Sequence, residues 1–216
     1  MDMENIKKIS FLVDSITEGA GASKIENNYV NKVGEKLGVE SLNFGVGGTR
    51  IAKQNGDGND RYAEYFLLRA KKMPKDADLV FVFGGTNDFG HGDAPIGNIN
   101  DRTDLTFYGA LNNLIEYLIE TFGKEKIRFI LPLARFDQDN PFGEGNKKEP
   151  SLTLKGYVDI IREVLDEFGI ESLDLSDSFS KPLTNKGDRL TVDGLHPNDL
   201  GHKIIADKIV EYIQKI

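Results

Sequence analysis

Short uninterrupted apolar runs alternate along the chain with longer stretches in which apolar residues recur every three or four positions. The runs are "ISFLV" at 9–13, "SLNFGV" at 41–46, "LVFVFGG" at 79–85, "IRFILPL" at 127–133 and "ESLDLS" at 171–176. An apolar run without polar alternation fits a strand covered on both faces, as in a parallel sheet. The intervening stretches read as helices. Ile25, Tyr29, Val33 and Leu37 share one face of a helix over 24–37, with Ser23 as its expected cap, Glu26 reaching back and Gly38 ending it. Phe107, Leu111, Leu114, Ile115, Leu118 and Phe122 mark a second helix over 104–122, and Leu154, Val158, Ile161, Leu165 and Phe168 a third over 154–168. A last helix starts near Asn198, and a weaker one is expected over 60–72.

Strand and helix alternate throughout, which predicts an α/β fold with a five-stranded parallel sheet and right-handed crossovers. No repeat, low-complexity tract or linker divides the chain, so 1–216 is read as a single domain. Two segments exceed ordinary connectors, 89–103 and 135–152. Both follow strands, which places them at the carboxyl edge of the sheet, where open α/β folds bind ligands. Loops of this length are usually functional or mobile.

Composition narrows the function. Hydrophobic residues make up 39% and charged residues 29%, as in ordinary globular proteins, and the net charge is −8. That balance argues against a nucleic-acid partner or an anionic membrane, because no basic face is available to meet phosphates. Without cysteine there is no disulfide, thiol nucleophile or thiolate metal site. The N-terminal run "ISFLV" is shorter than a signal-peptide core, and no run approaches the roughly 18 apolar residues that span a bilayer. A cytoplasmic protein with no membrane association is expected.

If the sheet is parallel, its carboxyl edge collects "DSITEG" after the first strand, "GVGGTR" after the second and "GGTNDFG" after the third, and "DGLHPND" before the last helix can fold over it. These segments supply a hydroxyl, glycine amides, a side-chain amide and an Asp/His pair, the parts of acyl transfer by a serine. Only His91, His196 and His202 could serve as a base of near-neutral pKa. His196 has Asp193 three residues before it, a spacing that on a helical turn brings side chains about 5–6 Å apart at Cβ. No G-x-S-x-G occurs, which excludes the α/β-hydrolase elbow. Taken singly, each residue has an ordinary reading. Ser15 and Asp193 could be caps, Asn87-Asp88 a turn, Gly47-Gly48 a tight strand–helix connection, and His196-Pro197 the start of the last helix. His91 reads as a solvated loop residue, His202 as facing solvent or packing, and Arg50 and Arg135 as surface residues. Asp14 is expected to hold its turn.

In order and spacing, "VDSITEG", "NFGVGGT", "GGTND" and "DGLHP" resemble the four sequence blocks of the SGNH (GDSL-type) hydrolases, from Val13 to His196. The resemblance implies a flavodoxin-like three-layer α/β/α sandwich and no metal or organic cofactor. It implies Ser15 as nucleophile, His196 as base oriented by Asp193, and Gly48, Asn87 and the backbone N–H of Ser15 as oxyanion-hole donors. One position departs: Val13 stands where that family usually has glycine, and an ordinary extended conformation is expected there. The implied activity is a serine esterase acting on a small-molecule ester, a short acyl group on a sugar or other polar molecule. This rests on the polar, glycine-rich loops and the lack of a long apolar lid. The competing readings are a lipid-ester or thioester hydrolase of the same family, a non-catalytic flavodoxin-like protein holding phosphate in "SITEGAGAS", and a metal-dependent phosphoesterase. Asp14 and Glu18 would repel the phosphate, and three dispersed histidines are few for a two-metal site.

Overall fold

A computed structural model describes residues 5–54, 64–145 and 147–216. The strands are β1 (Lys8–Val13), β2 (Glu40–Gly45), β3 (Leu79–Phe83), β4 (Ile127–Ile130) and β5 (Glu171–Leu173). They form one all-parallel sheet in the order β2-β1-β3-β4-β5. The helices are α1 (Ser15–Glu18), α2 (Tyr29–Leu37), α3 (Phe66–Ala70), α4 (Thr86–His91), α5 (Phe107–Phe122), α6 (Leu154–Phe168) and α7 (Asp199–Ile213).

The apolar runs are continuous because both faces of the sheet are covered. In β3, Leu79, Phe81 and Phe83 join a core with Tyr29, Val30 and Val33 of α2 and Ile205, Ile209 and Ile213 of α7. The alternate residues Val80 and Val82 face a second core built from α3, α5 and α6. The result is the expected α/β/α sandwich. Its strand order is that of flavodoxin-like folds, in which chains leaving adjacent strands toward opposite faces open a crevice at the carboxyl edge. Here that crevice lies between β1, whose chain goes on to α2, and β3, whose chain goes on to α5. Ser15 follows the first of these strands and Asn87 the second.

Two helix expectations change. Over 24–37 the chain makes a single 3₁₀ turn at Ile25–Asn27, and α2 begins only at Tyr29. Asn28 is the working cap: its Oδ1 accepts from Val30 N–H at 2.9 Å, while its Nδ2 donates to the Thr17 carbonyl at 2.6 Å. Ser23 is drawn away by the Asp199 carboxylate, to which its hydroxyl donates at 2.6 Å. Of the helix expected over 60–72, α3 covers Phe66–Ala70, and 60–63 lie outside the described residues. Val13 is extended, as expected, and pairs with Gly45 and Phe83. No described helix is long and apolar enough to cross a membrane.

Phe81 sits at the centre of the α2/α7 core, fully buried, stacked on Phe11 at 5.4 Å and edge-on to Tyr212 at 6.4 Å. Phe81→Ala is expected to lower unfolding stability in urea by about 3–5 kcal/mol. A loss below about 1 kcal/mol would contradict this packing.

Candidate active site

Ser15, Asp193 and His196, far apart in sequence, converge at the carboxyl edge. Ser15 opens α1, whose cap is Asp14: the Asp14 side chain accepts from Ile16 N–H at 3.1 Å. Ser15 Oγ lies 3.0 Å from His196 Nε2, and His196 Nδ1 lies 2.7 Å from Asp193 Oδ2. The Asp193–His196 segment is not the helical turn the spacing suggested. Thr191 and Pro197 pair antiparallel, and Val192 N–H bonds the His196 carbonyl at 2.9 Å, closing a small loop. Inside it, Asp193 Oδ1 accepts from the N–H groups of Leu195 (3.0 Å) and His196 (2.8 Å), which leaves Oδ2 for the imidazole. A carboxylate can satisfy both because it offers several acceptor positions. Burial pulls the Asp193 carboxyl upward, but hydrogen bonds from the His196 side chain and backbone outweigh it, and the group stays below the usual carboxylate range.

The glycine segment after β2 is a turn in which Thr49 N–H and Thr49 Oγ1 both bond the Val46 carbonyl, at 3.4 and 2.7 Å. Gly48 takes φ +74° there, the left-handed conformation that the third position of a type II turn requires and that favours glycine. Gly45 has a different reason to be glycine. A Cβ there would come within 2.3 Å of Glu18 N, so α1 can rest on the end of β2 only if that side chain is absent. Asn87, in the first turn of α4, is buried and donates Nδ2 to the Thr49 carbonyl at 3.0 Å. Gly48 and Asn87 are therefore brought to one turn, next to α1.

Several residues depart from their expected roles. Arg135 is 2% exposed, not superficial; it pairs with Asp137 and Glu144 and donates to the Thr86 carbonyl and hydroxyl. Its guanidinium thus clamps the start of α4 to the 135–152 loop. His91 is not a solvated loop residue: it ends α4 half-buried, with Nδ1 2.5 Å from Arg50 Nη2. Burial, then the Arg50 charge, depresses its pKa. Arg50 is accordingly half-buried against it. His202 packs: fully buried, it meets Tyr29 N–H at Nδ1 (3.4 Å) and the Ala20 carbonyl at Nε2 (3.3 Å).

Two buried residues at this edge were not singled out in the sequence. Asp88 accepts from Ile51 N–H and Ala52 N–H, both at 2.9 Å, and so anchors the segment after Gly48-Thr49. Arg69, in α3, reaches the ends of β1 and β2. The legible signal for Arg69 was a lone cation inside the apolar stretch "YFLLRA"; Asp88 read only as a turn residue. A cavity of about 740 Å³ lies between 91–96 and 147–152, with His91 and Lys147 in its wall but none of Ser15, Asp193 and His196. Among the described residues no three His, Asp or Glu side chains cluster so as to hold a metal ion.

The GDSL-like lipase/acylhydrolase family matches residues 14–204, and the chain belongs to that family. Its fold recurs in solved structures. A protein from Lactobacillus plantarum is 28% identical over 97% of each chain, with a TM-score of 0.80. The acetyl xylan esterase AlAXEase is 24% identical over 95% of this chain and 98% of its own, TM-score 0.64. A member of the lipolytic G-D-S-L family from Veillonella parvula is 20% identical over 98% and 100%, TM-score 0.64. No curated protein matches the chain at a significant level.

Asp14 provides a test of the site's electrostatics. Burial pushes its carboxyl from 3.8 up to about 6, against the hydrogen bond from Ile16. The folded state thus holds this proton more tightly than the unfolded state. The group's stabilising contribution is full below pH 3.8 and is lost as pH rises through about 6. Asp14→Asn keeps the acceptor for Ile16 and cannot ionise. In urea unfolding it is expected to gain on the wild type between pH 4 and pH 8, by at most about 3 kcal/mol. A difference that does not change with pH would contradict the burial of a charge here.

Proposed function

We propose that the protein is a serine esterase that works through an acyl-enzyme on Ser15. One observation carries the reading: the continuous hydrogen-bonded path from Ser15 Oγ to His196 Nε2 (3.0 Å) and from His196 Nδ1 to Asp193 Oδ2 (2.7 Å). Membership of an acylhydrolase family supports it.

In this mechanism Ser15 Oγ attacks the ester carbonyl while His196 Nε2 takes its proton. Asp193 holds the imidazole with Nδ1–H directed at Oδ2 and stabilises the imidazolium. The carbonyl π electrons move to oxygen, and the resulting oxyanion is met by N–H groups of Ser15 and Gly48 and by Asn87. Asn87 has two amide hydrogens; the one bound to Thr49 fixes its orientation, and the other serves the oxyanion. Collapse breaks the bond to the alkoxy oxygen, which leaves as the alcohol with the proton from His196. Water, deprotonated by His196, then attacks the acyl-enzyme and releases the acid, restoring Ser15. Donors placed where charge develops stabilise the transition state more than the bound ester, and one such donor is typically worth about 10²–10³ in rate.

The substrate proposed is a short acyl ester, acetyl-like, on a sugar or other small polar molecule. The likeness to an acetyl xylan esterase supports this. So does the polar character of the long segments that follow β3 and β4, "GDAPIGNINDRT" and "DQDNPFGEGNKKEPS".

The test is hydrolysis of p-nitrophenyl acetate, butyrate and palmitate by wild type and Ser15→Ala, with a chelator present throughout. Expected are turnover of the short esters, little of the palmitate, and a loss of about 10³-fold or more in Ser15→Ala. Equal turnover in both proteins would overturn the serine mechanism. A preference for palmitate would overturn the short-acyl assignment alone.

A further inference from the structure

Resting on the serine-esterase reading above, we propose that Arg69 is a positioning residue for the oxyanion site: one guanidinium that holds the nucleophile-bearing strand and the Gly48 turn in mutual register. Arg69 is 4% exposed and lies over the Phe66 ring at 4.8 Å. Its Nη1 donates to Thr49 Oγ1, and its Nη2 donates to the Val13 carbonyl and, at 2.7 Å, to the Phe44 carbonyl. Val13 ends β1 and stands two residues before Ser15; Phe44 is the penultimate residue of β2; Thr49 follows Gly48 directly.

Thr49 extends the connection. Its hydroxyl hydrogen is committed to the Val46 carbonyl, at 2.7 Å across the turn that holds Gly48, while the hydroxyl oxygen accepts from Arg69. Its carbonyl accepts from Asn87 Nδ2 at 3.0 Å. A single buried cation is thereby bonded on one side to the strand that delivers Ser15. On the other it reaches, through one threonine that is 1% exposed, both Gly48 and Asn87. The donors that meet the developing charge are fixed relative to the attacking oxygen by this fork.

The residue type follows from the geometry. Beyond the Val46 N–H bond to the Val13 carbonyl at 3.3 Å, β1 and β2 part, and the Val13 and Phe44 carbonyls converge with the threonine hydroxyl on one buried spot. Buried acceptors with fewer donors than they can take are costly. A planar guanidinium presents several N–H groups at fixed angles and can serve all three, which a lysine ammonium on a flexible stem cannot reproduce. Burial depresses the Arg69 pKa to about 10, partly offset by the Asp14, Glu64 and Glu18 carboxylates, so the group stays charged at neutral pH. An apolar residue would avoid the cost of burying that charge. What it would lose is the connection between nucleophile and oxyanion donors, where a displacement of about 1 Å can cost on the order of 100-fold in rate.

The experiment compares wild type, Ser15→Ala, Arg69→Lys, Thr49→Val and the Arg69→Lys/Thr49→Val double variant. A fluorophosphonate is the probe: it forms a Ser Oγ–P bond with loss of fluoride and needs no knowledge of the natural ester. The readouts are its second-order inactivation rate at a temperature well below each variant's Tm, and kcat and KM for p-nitrophenyl acetate. Expected are folded variants in which inactivation and kcat fall together by about 10- to 100-fold while KM moves less than about three-fold, with the double variant no worse than Arg69→Lys. Should Arg69→Lys fail to fold, Thr49→Val carries the test: it removes the Arg69 link together with the hydroxyl's bond to the Val46 carbonyl and keeps the Thr49 carbonyl that Asn87 meets. Folded variants of lowered Tm that react at the wild-type rate would overturn the positioning role and leave Ser15 as nucleophile. Labelling that persists in Ser15→Ala would overturn the esterase reading and this inference with it.

Discussion

In a parallel sheet every strand delivers its chain to the same edge, and that edge is also where the hydrogen-bond ladder stops. The first consequence is convergence. Loops from β1, β2 and β3 meet although their residues are far apart in sequence, and the order β2-β1-β3-β4-β5 opens the crevice between the strands that lead to Ser15 and Asn87. The second is a set of backbone carbonyls, at the strand ends and in the first turns of the helices that follow, that take side-chain donors. Arg69 donates to Val13, which also accepts from Val46 N–H, and to Phe44; Arg135 donates to Thr86 in α4, and Asn28 to Thr17 in α1. The groups that satisfy the edge of the sheet are thus also the groups that hold the proposed catalytic residues in place.

This explains an otherwise costly concentration of buried charge. Asp14, Asp88, Arg69 and Arg135 are all at most 4% exposed and all lie at this edge. Their carboxylates and guanidiniums bind backbone of irregular segments: Asp88 the segment after the Gly48 turn, Asp14 the first turn of α1. Apolar residues could fill the same volume but could not specify the backbone path. Proposed catalytic function and local stability oppose each other here. Both buried carboxyls are pushed up to about 6 by desolvation and are retained nonetheless.

Much of this was legible in the sequence. The apolar run of β3 and the stripes of α5 and α6 follow directly from burial on two faces and on one, and those elements fall where the pattern placed them. Histidine count and spacing did not single out Asp193 and His196, since Asp88, Asp193 and Asp199 each stand three residues before a histidine; it was the order of the four blocks, with "DGLHP" last, that grouped Ser15 with Asp193 and His196. The reason the spacing works was misread, because an Asx-type loop closed by the Thr191–Pro197 bridge, and not a helical turn, aligns that pair. Long-range competition for side chains was invisible. Ser23 could not be known to serve Asp199 in place of the following helix, nor Arg135 to be buried under α4, nor His91 to meet Arg50. Arg69 lay in a weakly periodic stretch, and its partners are 20 to 56 residues away in the chain.

The central claim is that the hydroxyl at the end of β1 becomes covalently acylated. Its most direct test is acid quenching of wild-type protein during turnover of p-nitrophenyl acetate, followed by peptide mapping by mass spectrometry. The account predicts a single acetyl group, on Ser15, that accumulates within the first turnover and disappears once the ester is consumed. Continued ester turnover by the wild type with the acetyl group on another residue, or undiminished turnover in Ser15→Ala, would contradict it.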